Sequence, residues 1–134
     1  MEDLPDTHDG FFDGLWISEN KSAYLFLRTP TGQRLTIVLN GVERMKVSNF
    51  MTGNIILDVV VVESDKVTIE LIEQVYELQP AETELAHQLL SKAQQRGLSV
   101  LEINPSYGAE CVALFRSVEM HSDHVLPQMP ASAT

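Results

Sequence analysis

The sequence predicts an α+β domain: a mostly antiparallel sheet of about seven to eight strands with one main helix packed on one face. Three observations carry this. Residues 33–63 hold three apolar-patterned runs, broken by Asn40-Gly41 and by Met51-Thr52-Gly53-Asn54. The last run, residues 55–62, is apolar at every position but Asp58 and rich in Ile and Val. It is too short for a membrane span and has the composition of a central strand buried on both faces. Residues 80–96, by contrast, are apolar along one side only, which predicts a helix laid over one sheet face.

At 134 residues the chain fits one domain able to bury its own core. Residues 1–7 form a lead-in without periodicity, residues 8–121 the domain, and residues 122–134 a polar, Pro- and Ala-rich tail expected to be disordered. A single cysteine, Cys111, excludes an internal disulfide and suits a reducing cytoplasm. The acidic start lacks a basic segment followed by an apolar one, so neither a signal peptide nor a transmembrane helix is expected. The net charge of −10 disfavours nucleic acid as a partner and favours a basic protein, mainly through encounter rate.

In order, Phe11 to Ile17 reads as a first strand, and Glu19-Asn20-Lys21 as a turn. Residues 22–29 alternate, with Ala23, Leu25 and Leu27 on one face and Tyr24, Phe26 and Arg28 on the other. Thr29-Pro30-Thr31-Gly32 is a turn by composition. Asn40-Gly41 predicts a hairpin between the third and fourth strands. A bare two-residue turn would set Ile37 opposite Arg44 and mix core with solvent. An extra loop residue, with Gly41 left-handed, instead puts Leu35 and Ile37 on the face of Met45 and Val47.

A fifth strand follows over residues 54–63, with a turn at Ser64-Asp65-Lys66 and a returning strand over residues 67–71. Beyond Leu71 the spacing of Leu71, Ile72, Val75 and Leu78 also fits a helix, so residues 72–78 stay open. The main helix starts at Pro80, with Glu82 and Glu84 early, Lys92 and Arg96 late, and Gly97 as its stop. Residues 98–103 and 109–120 read as two closing strands joined through Asn104-Pro105-Ser106-Tyr107-Gly108.

Among candidate sites, the basic surface stands out. In the predicted register Arg28, Arg34, Arg44 and Lys46, with Tyr24 and Thr36, share one face, suited to an anionic group or a partner protein and otherwise simply solvated. Asp58 interrupts an apolar strand and must reach solvent or a partner; with Asn54 it is a candidate ligand-binding pair. His121, Asp123 and His124 have the chemistry of metal ligands, but their spacing near a terminus dictates no site, so no metal is expected. His8-Asp9 precedes a strand and reads as a turn hydrogen bond; His87 lies on the polar face of the helix. Cys111 alternates with Ala113 and Phe115 and reads as a packed thiol without a neighbouring base. No phosphate loop, zinc spacing or nucleophile elbow is present, and no catalytic residue and no cofactor is assigned.

His8-Asp9, the run to Ile17, the strands around Leu25 and Leu35, Gly41-Val42, and Asn49-Phe50 before Gly53-Asn54-Ile55-Ile56 together resemble a set of small bacterial β-rich proteins. Some of those are classed as immunity proteins of polymorphic toxin systems. The resemblance spans residues 8–62, and that set has no accepted catalytic residues to carry over. It implies a small cytoplasmic protein that binds another protein. The reading is therefore a non-enzymatic protein-interaction module, of which an immunity-type neutraliser of a bacterial toxin is one form. The alternative is a small-molecule binder or enzyme with a pocket between sheet and helix, near Asp58, Tyr107 or Trp16. A homodimer is the third possibility.

Overall fold

The computed structural model of the chain describes residues 6–126 and shows an α+β fold. The strands are β1 (Phe11–Ile17), β2 (Ala23–Arg28), β3 (Arg34–Asn40), β4 (Arg44–Ser48), β5 (Asn54–Val62), β6 (Ser99–Tyr107), β7 (Glu110–Phe115) and β8 (Ser117–His121). Between β5 and β6 lie a single 3-10 turn (Ser64–Lys66) and the helices α1 (Ile69–Tyr76) and α2 (Thr83–Gln95). All eight strands join one sheet in the order β4-β7-β6-β5-β1-β2-β3-β8, every pair antiparallel. Among the described residues no helix is long and apolar enough to cross a membrane.

The sheet is not flat. Leu25 on β2 and Ala113 on β7 belong to one buried cluster, although four strand spacings of about 4.8 Å each separate them along the ladder. The sheet must therefore fold over, and its weakest join marks where. β1 and β5 pair only at Phe11↔Ile55 and Phe12↔Asn54. One half, β1-β2-β3-β8, closes over the other, β4-β7-β6-β5, around Phe12, Leu25, Leu27, Leu35, Ile37, Leu39, Ile56, Leu101, Ile103, Cys111 and Phe115. A second core lies on the far face of β6 and β7, where Val100, Val112 and Leu114 meet Ile72 and Val75 of α1 and Ala93, Leu89 and Leu90 of α2.

Several expectations need correction. Asn40-Gly41 does not make a hairpin: β3 pairs with β8 and β4 with β7. The chain instead switches halves there, and the matching switch at Arg116 splits the expected strand over residues 109–120 into β7 and β8. The two corners are bonded together, Arg116 N to Asn40 O and Glu43 N to Leu114 O. Gly41 is left-handed as expected (φ 62°), and a Cβ there would sit 2.9 Å from Arg116 Cβ. So the glycine serves a corner, where two crossing segments must come close.

Residues 67–71 are not a strand. Thr68 caps a helix by accepting from Leu71 N at 3.3 Å, and burial of Ile72 and Val75 selects the helical spacing over the alternation. The second helix starts at Thr83, after a turn in which Glu82 accepts from Gln79 N. The β6 strand runs on through Asn104 to Tyr107, with Pro105 seated at a register shift opposite Ile56, where a missing N–H is tolerated. β5 is fourth of the eight strands but is not buried on both faces: Leu57, Asp58 and Val60 are exposed. Leu89 and Leu90 pack into the second core beside Val62, whereas Leu85 points to solvent. At the ends, Thr7 is buried and residues 122–126 are held against β3, while residues 1–5 and 127–134 of the expected lead-in and tail lie outside the described residues.

Candidate functional site

Strand parity fixes which side chains leave the core. In β2 the inward residues are Ala23, Leu25 and Leu27, so Tyr24, Phe26 and Arg28 face away from the core. Cross-strand pairing then builds three rows on the outer face of the β1-β2-β3-β8 half. Trp16, Tyr24, Val38 and Glu119 form one; Gly14, Phe26, Thr36 and His121 the next; Phe11, Arg28 and Arg34 the third. Trp16 is 43% exposed, Tyr24 and Phe26 are half-buried, and neither helix covers this half. Gly14 leaves room beside the Phe26 ring that a larger side chain would fill.

Residues 122–126 border the rows. The Thr36 hydroxyl, fully buried, donates to Asp123 O at 2.6 Å and accepts from Val125 N at 3.0 Å. His124 lies 3.0 Å by Nε2 from Leu27 O, and its ring is 5.4 Å from that of Phe26. His121, Asp123 and His124 thus go separate ways, and among the described residues no group of three or more His, Cys, Asp or Glu could hold a metal ion.

The five basic and aromatic candidates are not brought together. Tyr24, Arg28 and Arg34 share the outer face described above, but Arg44 and Lys46 sit on β4 at the far end of the strand order. There Arg44 Nε donates to Val75 O at 2.8 Å, and Lys46 Nζ lies 3.3 Å from Glu77. Arg44 therefore satisfies a carbonyl at the C-terminal end of α1, Lys46 pairs with the Glu77 carboxylate just past it, and both join α1 to the sheet. Arg28 is also engaged. Its Nη2 donates to Asp13 Oδ1 at 3.0 Å, its guanidinium lies 4.5 Å over the Phe11 ring, and the Asp13 contact raises its pKa further. Asp13 can reach it because it is the extra residue where the β1–β2 register shifts. Arg34 is exposed beside an open depression of about 460 Å³ shared with Gly32, Gln33, Ser122 and Asp123.

Asn54 and Asp58 also separate. Asn54 is 3% exposed, and its amide is fully used. Oδ1 accepts from Met51 N at 2.8 Å and Ala109 N at 2.9 Å; Nδ2 donates to Phe12 O at 3.1 Å and Met51 O at 2.9 Å. It ties β1, the loop before β5 and the β6–β7 turn together, and no capacity is left for a ligand. Asp58 lies on the outer face of β5, accepting from Asn104 Nδ2 at 2.7 Å. Nearby, burial raises the pKa of Glu102, with Asp58 and Glu110 adding to it. His8 Nδ1 lies 2.8 Å from Leu57 O, and that bond, then Asp9, raises its pKa. Asp58, Tyr107 and Trp16 lie apart: Asp58 faces outward on β5, Tyr107 pairs with Ile55 at the end of β6, and Trp16 pairs with Tyr24 on the β1–β2 ladder, while the helices meet the sheet through the second core.

Cys111 is buried among apolar side chains, and that desolvation pushes its thiol up to about 12. It is packing, not a nucleophile. The sequence alone assigns Trp16 to a pocket and leaves Phe26 unassigned; the β1–β2 register unites them with Tyr24. The alternation within each strand is visible in the sequence, but the register that aligns the rows is a long-range property. No family model matches the chain, and no curated protein or solved structure matches it.

Proposed function

We propose that this protein is a non-enzymatic protein-binding module that docks a partner on the outer face of the β1-β2-β3-β8 half. The observation behind it is the aromatic group of Trp16, Tyr24 and, in the next row, Phe26, solvent-accessible on a sheet half that neither helix covers. Aromatic side chains flanked by arginine are the residue types that carry binding energy at protein interfaces. Arg28 and Arg34 supply the polar edge of such a patch, with Glu119 on the opposite side. The immunity-type role implied by the resemblance over residues 8–62 is a narrower form of this reading, with a toxin as the partner; basic charge on that toxin would act on encounter with a chain of net charge −10 rather than on this arginine-edged face.

The test uses Trp16 twice, since it is the only tryptophan in the chain. Proteins captured from the source cell by the wild-type chain are compared with those captured by Trp16→Ala and Tyr24→Ala. A specific partner should be lost from both variants with thermal stability kept, and should shift Trp16 fluorescence when added back to the wild type. A partner retained equally by both variants would refute this docking face.

A further inference from the structure

The β5 strand has an exposed edge that the rest of the fold does not explain. Pairing with β1 ends at Asn54 and Ile55, followed only by the bonds Asp9 N to Ile56 O and Ile56 N to Gly10 O. His8 then reaches Leu57 O. From Asp58 to Val62, β6 is the only strand paired with β5 among the described residues. Peptide groups directed away from β6 along this stretch lack a strand partner, and a strand edge of this kind templates another strand.

Its composition is unlike that of the outermost strands. β8 is five residues long and carries Glu119; β4 is five residues long and carries Arg44 and Lys46. Short length and charge are the usual protections of an edge. Residues 57–62 read Leu-Asp-Val-Val-Val-Val, with Leu57 44% and Val60 37% exposed, and Asp58 is the single charge.

The surroundings say what kind of strand would fit. Asp58 lies on the strand itself, Glu102 of β6 stands directly opposite Val60, and the one imidazole beside this edge, His8, lies 3.6 Å from the carboxylate of Asp9. We propose that residues 57–62 of β5 receive an extended, lysine- or arginine-bearing segment of a partner protein as an added strand. This deepens, and rests on, the reading of the chain as a protein-binding module, but it uses a different surface. Main-chain hydrogen bonds would supply affinity. Alternate side chains against Val60 and Asp58 would supply selection. A second copy is the poorer occupant, because it would bring Asp58 and Glu102 of two chains of net charge −10 together.

The experiment titrates the full chain with a synthetic peptide of alternating lysine and valine, followed by amide chemical shifts. A glutamate–valine peptide is the control. The expected result is saturable shifts along residues 57–62 and β6, with affinity at least about tenfold weaker for the acidic peptide. Val60→Lys should weaken the basic peptide about tenfold or more while leaving the melting temperature unchanged, since a lysine on an exposed edge blocks strand addition without touching the core. Equal affinity for the two peptides, no binding, shifts confined to β4, β8 or the Trp16 face, or a Val60-dependent homodimer in light scattering would each overturn the inference. Retention by Val60→Lys of a partner that Trp16→Ala loses would leave the docking face standing and remove only the β5 edge.

Discussion

Replacing Asn54 tests the junction on which the two sheet halves meet. The side chain makes four hydrogen bonds, two of them fully buried, from Ala109 N and to Phe12 O. Asn54→Ala leaves those two partners unpaired at about 1–3 kcal/mol each. The two bonds to Met51 are part-buried, so water can replace them and they add less. The two buried partners together cost about 2–6 kcal/mol, against a total stability of about 5–15 kcal/mol for a domain of this size. Urea unfolding at neutral pH, followed by Trp16 fluorescence, reads this as a lower midpoint with an unchanged slope. Gly108 supplies an internal check. It sits at φ +85°, and a Cβ there would collide with Asn54 Oδ1. Gly108→Ala should therefore destabilise strongly alone. The double variant should lose less than the sum of the singles, because Asn54→Ala removes the Oδ1 that the new Cβ would strike. A loss below about 1 kcal/mol for Asn54→Ala, or strict additivity, would refute the claim that this amide holds the junction.

Other outcomes follow from the same geometry. His8 holds its proton more tightly in the folded chain than its ordinary value of 6.5, so its contribution is complete below that value and is lost as pH rises through the raised folded pKa; an NMR titration should show the elevated midpoint, and Asp9→Asn should lower it. Glu102 is a carboxyl whose pKa is raised by burial, which favours the folded state as pH falls; Glu102→Gln should raise the melting temperature at pH 7, with the gain vanishing in acid. Cys111, with its thiol at about 12, should resist alkylation at neutral pH in the folded chain and react freely in urea.

Much of the fold was legible because much of it is local. Alternation in residues 23–28 shows in any sequence window, and it correctly separates Leu25 and Leu27 from Tyr24 and Phe26. The two corners were not legible. Asn40-Gly41 satisfies the chemistry of a hairpin and of a sheet switch equally, and only the pairing of Asn40 with Ser117, far along the chain, decides between them. The α1 helix is eight residues long, too short to be stable on propensity alone, and it exists because Ile72 and Val75 find Val112 and Leu114. Asn54 reads as a ligand-binding residue in the sequence because its satisfied partners, Phe12 and Ala109, lie 42 and 55 residues away.

The separation of the basic residues changes what kind of recognition the surface can support. Had Arg28, Arg34, Arg44 and Lys46 shared one face, attraction for anions would have dominated. Instead Arg44 and Lys46 are spent on the end of α1 and Arg28 on Asp13, leaving Arg34 beside an aromatic group. Association there should rest on desolvating Trp16, Tyr24 and Phe26, and so should change little with added salt. The β5 edge is the converse, an uncovered apolar strand among carboxylates. Its on-rate for a basic segment should fall steeply as salt screens Asp58 and Glu102. The two surfaces therefore differ in salt response, and ionic strength alone can tell which one a given partner uses.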